Sequence, residues 1–493
     1  MKLNKEILRL AGPSILANIT VPLVGMADIA VAGHLADGGG AAALIGGISL
    51  GTMLFDLLYW NFAFLRTGTV GLTAQAYGAG SPVLAILRRA LRIALLSGLA
   101  LIALQWAVVW LSFKLVVCSP QVQALATQYF HIRIWAAPAT LSLFAFKGWF
   151  VGLQDTVRPM TADLLVNGLN ILLSVGLGFG LCGLPRLGFA GVAVGTVAAQ
   201  WCGFAYAALA AGRKITWRGS DCKSDTYKMF SSPASVENIR QNTDTEQLTH
   251  QPVMKTTGRE GTFWRLNRDL VLRSVGMIAV YIGFTVISAR YGDLVLAVST
   301  ILMKLLMLLS YFTDGFAFAG EALTGRFIGA GDRDGLRSTV RGTFLWGAAL
   351  AAAFMLLYGL GGVPLLRLMT SDPEVVSFGR QFLPWLLVMP LVGTPAFVWD
   401  GIFIGATEGA HLRNSTLLCA VGFFAVWFAG TALLHAQDAM ALHVLMAAYF
   451  THLLVRSAYL TGAYFRKYFQ PMTGSVKAST QATVQKSDTG RKL

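Results

Sequence analysis

The chain has 493 residues, of which 55% are hydrophobic and only 13% charged, and its mean hydropathy is +0.60. Such a composition excludes a soluble globular protein of this size, so most of the chain is predicted to lie in lipid. The net charge of +15 does not point to nucleic acid, because the Lys and Arg residues are spread over loop ends and form no aromatic-laced patch.

Apolar runs long enough to cross about 30 Å of hydrocarbon predict about twelve helices, divided equally between two halves. In the first half they fall near residues 7–33, 43–65, 90–117, 123–150, 161–182 and 188–211. In the second they fall near 268–289, 294–320, 340–366, 376–404, 413–434 and 439–464. Basic residues gather at one set of alternate ends, from Lys2, Lys5 and Arg9 through Arg88, Arg89 and Arg92 to Arg466 and Lys467. The positive-inside rule then places both termini and the central linker in the cytoplasm, for a multi-pass protein of the inner membrane. The expected organisation is an amino-terminal lobe over 1–212, a polar linker over 213–265, a carboxy-terminal lobe over 266–468 and a disordered tail over 469–493.

The halves carry related text. Gln75-Ala-Tyr-Gly-Ala-Gly80 corresponds to Arg326-Phe-Ile-Gly-Ala-Gly331, and Phe150-Val-Gly-Leu-Gln-Asp155 to Phe403-Ile-Gly-Ala-Thr-Glu408. A duplicated all-helical membrane bundle is predicted, the architecture in which one lobe rocks against the other around a midplane site. Pro13, Pro22, Pro138, Pro384, Pro390 and Pro395 fall inside spans, where they remove backbone donors and favour bends. Gly188, Gly191, Gly195 and Ala199 form a small-residue face suited to close helix approach.

Few charged residues lie at span depth, which makes each informative. Asp28 sits in the outer third of the first span, surrounded by apolar residues, where ionisation is costly unless a partner or a cation offsets it. One such aspartate holds either a proton or a positively charged guest, which is the logic of antiport. Asn167, Asn170 and Ser174 share one helical stripe and are expected to face inward. Thr196 is a further polar group at depth. The second half offers Lys304, Asp314, Glu321 and Asp400. Glu321 and Asp400 are expected toward the inner ends of their helices, where water relieves burial, so these two and Asp314 are read as gating or structural residues. The five cysteines show neither CxxC spacing nor nearby histidines, and no GxxxxGK[ST], HExxH or nucleophile–base set occurs. No enzyme activity, metal or cofactor is expected.

Four longer stretches carry a resemblance. Leu65-Arg-Thr-Gly-Thr-Val-Gly-Leu-Thr-Ala-Gln-Ala-Tyr-Gly78, Asn267-Arg-Asp-Leu-Val-Leu-Arg-Ser274, Asp314-Gly-Phe-Ala-Phe-Ala-Gly-Glu321 and Asp400-Gly-Ile-Phe-Ile-Gly-Ala-Thr407 resemble the multidrug and toxic compound extrusion (MATE) family, DinF-like branch. The resemblance implies a twelve-helix antiporter exporting amphipathic, often cationic organic compounds against inward H⁺ or Na⁺. The family's first-helix acid matches Asp28. Its fifth-helix pattern, Asn-Ile-x-Leu-Asp, matches Asn170-Ile-Leu-Leu-Ser174, so Asn170 carries over and the terminal acid does not. Loss of that carboxylate removes a hard anionic ligand from any Na⁺ site and favours H⁺.

The expectation is therefore a secondary antiporter with Asp28 as coupling acid, Asn170, Ser174 and Thr196 as polar neighbours, and a large, mostly apolar cavity between the lobes. A Na⁺-coupled exporter of the same family is one alternative. A lipid-linked precursor flippase is another, and it would need the scattered Arg133, Lys147, Lys304 and Arg456 to converge on a diphosphate. An intramembrane enzyme would need paired catalytic groups within one span, and none is found.

Overall fold

The computed structural model describes residues 2–35, 41–115, 119–221, 260–369, 373–435 and 438–468. The glycine run 38–40, Cys118, Cys222, most of the predicted linker and the tail from 469 lie outside them. Among the described residues the chain is helical, with no strand. In hydrocarbon every backbone N–H and C=O must be satisfied within its own segment, so a chain this apolar has little other choice.

The first half comprises α1 (Lys2–His34), α2 (Ala41–Trp60), α3 (Phe64–Gly78), α4 (Leu84–Ala103), α5 (Gln105–Leu115), α6 (Pro120–Arg133), α7 (Ala137–Gly152), α8 (Val157–Phe179) and α9 (Phe189–Asp221). The second comprises α10 (Glu260–Ala289), α11 (Asp293–Ala330), α12 (Arg333–Met369), α13 (Pro373–Arg380), α14 (Leu383–Gly405), α15 (Gly409–Leu434) and α16 (Asp438–Tyr468). Ten spans, and an eleventh if the bent α4–α5 pair counts as one, are long and apolar enough to cross a membrane. The 33-residue α1, diluted by its charged start, completes a bundle of twelve.

Breaks within spans have local causes. The span predicted at 43–65 runs on to Gly78 through a turn at 61–63, where Asn61 Nδ2 donates to the Leu57 carbonyl at 2.7 Å and satisfies the broken end. The span predicted at 90–117 bends by 64° at Leu104, which brings Gln105 Oε1 within 2.9 Å of His131 Nδ1. α9 continues to Asp221 and α10 starts at Glu260, so helix extends at both ends into the stretch expected as linker. On the exterior, Leu96, Trp106, Trp110, Leu360, Leu368 and Leu433 are exposed, as befits side chains in contact with lipid.

The duplication is visible in geometry. Gly80 and Gly331 both take positive φ (66° and 71°), as do Gln154 and Thr407 (63° and 57°), the corresponding residues of the second repeat pair. Lys214 pairs with Asp155 at 2.6 Å, and Lys467 pairs with Glu408 at the equivalent place in the other lobe. Burial pushes the Asp155 carboxyl up, but Lys214 and then Arg158 outweigh it and hold the carboxyl below its ordinary range.

The lobes meet along α1, α3 and α7 of the first and α10, α11, α12 and α14 of the second. The tightest contact is the crossing of α3 and α11 near the face that carries the basic helix ends. A Cβ at Gly78 would overlap the Arg326 carbonyl, and one at Gly329 would overlap the Gln75 carbonyl. These are reciprocal contacts between the paired motifs. Gln75 Nε2 reaches the Gly405 carbonyl and Thr407 Oγ1 (3.2 and 3.1 Å), and Gln154 Nε2 reaches the Ala322 carbonyl at 2.7 Å. Glu6 and Arg326 close the same face with two hydrogen bonds of 2.5 and 3.1 Å.

Candidate functional site

Close packing of α8 on α9 builds the first site. Gly191 and Gly195 let the helices approach until a Cβ at either would press on the backbone at Leu177 or Ser174 (2.7 and 2.8 Å). Gly188, expected on that face, instead takes positive φ (58°) in the turn before α9, with nothing near its missing Cβ. The polar stripe of α8 faces inward as its spacing predicts. Asn167 Nδ2 donates to Thr20 Oγ1 (2.6 Å), Asn170 Nδ2 to Thr196 Oγ1 (2.8 Å), and Ser174 Oγ to Asp28 Oδ1 (3.1 Å). Asp28 is 6% exposed and Ser174 fully buried, so the carboxylate's hydrogen-bonding neighbour is a neutral hydroxyl. Thr196 Oγ1 in turn donates to the Val192 carbonyl (3.0 Å), while Asn170 Oδ1 is buried without a hydrogen-bond partner.

Arg133 was missed as a member of this site. Its Nη1 donates to Tyr129 OH (3.0 Å) and Thr52 Oγ1 (3.2 Å), its guanidinium lies over Phe55, and it stands within electrostatic reach of Asp28 and Asp56. The available signal was a lone arginine at span depth in an otherwise apolar run. Between the lobes, Asp56 on α2 and Lys304 on α11 are both exposed and within electrostatic reach of each other. Trp60 and Tyr281 meet edge to face nearby at 5.7 Å. Asp56 and Lys304 thus set a charge of each sign against the other from the two lobes.

A second cluster fills the other lobe. Asp400 accepts from Arg273 Nη2 at 2.5 Å and from Arg456 Nε at 2.9 Å, and Arg456 is 1% exposed. Asp314 is half-buried and lies within reach of Arg66, Arg456 and Arg273. Glu321 is 0% exposed and Asp400 8%, so water does not relieve either carboxylate, contrary to the expectation drawn from their position along the helices. The cause is tertiary: α14 packs so tightly on α11 that a Cβ at Gly405 would overlap the Glu321 carbonyl. Arg66 and Arg273 sit inside two of the motifs quoted above, but charge convergence is not written in either. Lys147, the remaining basic residue at depth, pairs with Asp163.

Two six-helix lobes around buried polar sites at membrane depth define a multi-pass transporter. A family model, MatE, matches residues 13–175 and 270–434. The DNA damage-inducible protein F of Escherichia coli (strain K12) is 33% identical over 425 residues, covering 85% of this chain and 84% of that protein. A probable multidrug resistance protein NorM from Thermotoga maritima is 23% identical, over 87% of this chain and 84% of its own. A solved MATE structure in the bent conformation matches at a TM-score of 0.74 and 18% identity, covering 94% of this chain and 96% of the other. The chain belongs to the MatE family, and its relatives include multidrug transporters.

Proposed function

We propose that this protein is a secondary antiporter of the inner membrane, with both termini cytoplasmic, that exports amphipathic or cationic organic compounds in exchange for inward H⁺. The observation that carries the reading is Asp28, a buried carboxylate whose hydrogen bond comes from one neutral hydroxyl, with Arg133 within electrostatic reach but not hydrogen-bonded to it. A carboxylate so placed is stabilised by a proton or by a cationic guest, and binding of one disfavours the other. Ser174 stands where the family pattern has a second acid, which leaves the site with a single hard anion and favours H⁺. Asn170 Oδ1, buried and without a hydrogen-bond partner, is the feature that favours Na⁺ instead. The basic residues that converge, Arg66, Arg273 and Arg456, do so against three carboxylates, a balanced set unlike the cationic cradle a diphosphate requires.

In proteoliposomes an imposed pH gradient should drive movement of a cationic dye by the wild type without added Na⁺. Asp28→Asn keeps the shape and accepts from Ser174 but releases no proton, so coupled movement should fall to the level of empty liposomes. A wild type that requires a Na⁺ gradient and ignores pH would overturn H⁺ coupling. Undiminished pH-driven transport by Asp28→Asn would remove Asp28 from the mechanism.

A further inference from the structure

Glu321 is an unusual group. It is 0% exposed, and neither carboxylate oxygen has a hydrogen-bond partner. Its salt-bridge partner is Arg66 Nη1 at 3.9 Å, too far for a hydrogen bond. Arg66 belongs to α3 of the opposite lobe, and its guanidinium also lies 4.0 Å over the ring of Phe318, one turn before Glu321 on α11. The other charged groups around Glu321 are Asp314 on its own helix, Arg273 on α10, Asp400 on α14 and Arg456 on α16. Arg273 and Arg456 both hydrogen-bond Asp400 and reach Asp314 or Glu321 only through their field, so Arg66 is the arginine for which Asp314 and Glu321 compete most directly. Two carboxylates facing one arginine hold an excess negative charge that a single proton removes. The Asp400 group holds the matching excess positive charge.

We propose that Glu321 is a second proton-binding site, set in the joint between the lobes, and that its protonation releases Arg66 and lets the lobes part at the basic face. This rests on the antiport reading above. An ionised Glu321 draws Arg66, and with it α3, onto α11; a neutral Glu321 leaves Arg66 the Phe318 ring and the single charge of Asp314. By linkage the coupling is reciprocal: closing the joint expels the proton, and binding the proton opens the joint. The Glu6–Arg326 pair at the same face lacks this character, because both side chains are partly exposed and doubly hydrogen-bonded.

The test reads lobe separation without transport. In the full chain freed of its five cysteines, spin labels at Ala79→Cys and Ala330→Cys, exposed positions at the ends of α3 and α11, report the distance across the joint. The wild-type distance should lengthen when pH is lowered. Glu321→Gln should show the long distance at acid and alkaline pH alike, a complete loss of the pH response, whereas Glu321→Asp should keep a response. Arg66→Gln should also be long and insensitive to pH, and it carries the same test should Glu321→Gln fail to fold. A wild-type pH response retained in Glu321→Gln or in Arg66→Gln overturns the proposal. A requirement for Na⁺ in the flux experiment would overturn H⁺ coupling while leaving this distance measurement to be judged by itself.

Discussion

At the scale of single residues, the two lobes solve the problem of buried charge in opposite ways. The first hydrogen-bonds Asp28 to a hydroxyl and keeps Arg133 at a distance; the second ties Asp400 directly to two arginines. A buried ion pair need not add net stability, but removing one partner strands the other, at a cost of about 3–5 kcal/mol. Arg456→Met should therefore lower the thermal stability of the detergent-solubilised protein by roughly that amount, read from the melting of tryptophan fluorescence, and Arg456→Lys should recover part of it. Unchanged melting in Arg456→Met would show that Arg273 alone satisfies Asp400. The difference between the lobes also marks the limit of sequence reading. Asp28 and the Asn167, Asn170 and Ser174 stripe were legible because hydrophobic surroundings and helical spacing are local properties. The Asp400–Arg273–Arg456 group joins residues 56 and 127 positions apart, and no local pattern specifies which arginine meets which acid.

At the scale of elements, the predicted spans were legible in number and order, since each needs only a run of apolar residues. What was not legible was their interruption. The turn at 61–63 and the bend at Leu104 contain no proline; the first is capped locally by Asn61 on the Leu57 carbonyl, and the second is accompanied by a Gln105–His131 contact that exists only in the folded bundle. The glycines at the α3–α11 crossing were visible as repeated text but not as each other's counterparts. Their role gives a prediction. Gly78→Ala puts a methyl group against the Arg326 carbonyl, and such overpacking costs about 1–3 kcal/mol, roughly 5- to 150-fold in the population closed at that face. The Ala79–Ala330 label distance should therefore shift toward the long component in Gly78→Ala at alkaline pH, where the wild type is short. Gly361→Ala on α12, whose missing Cβ faces only nearby leucine tips, should leave the distance as it is.

At the scale of the whole molecule, the halves are joined by a polar stretch between Asp221 and Glu260 that lies outside the described residues. Its sequence is polar and of low complexity, from which a tether is predicted, and the entropy of closing a tether changes only slowly with length. Removing about half of it should leave export within about twofold of the full chain, by that slow dependence; loss of transport at normal membrane abundance would instead assign the stretch an active part. In this structure the lobes meet where Gly78 rests on Arg326 and Gly329 on Gln75, a contact in which that stretch takes no part. That crossing is main chain against main chain, disposed evenly about the relation between the halves, and it has the form of a bearing flanked by the Gln75, Gln154 and Glu6–Arg326 hydrogen bonds. Side chains that interlock must leave one rotamer well for another before surfaces slide, whereas bare backbone has no teeth to disengage. A turn of one lobe on the other, as the proposed antiport requires, would meet no interlocked side chains at Gly78 and Gly329 themselves. A bearing made by omitting atoms also tolerates no repair: every substitution at positions 78 and 329 adds material, so its wear runs in one direction only.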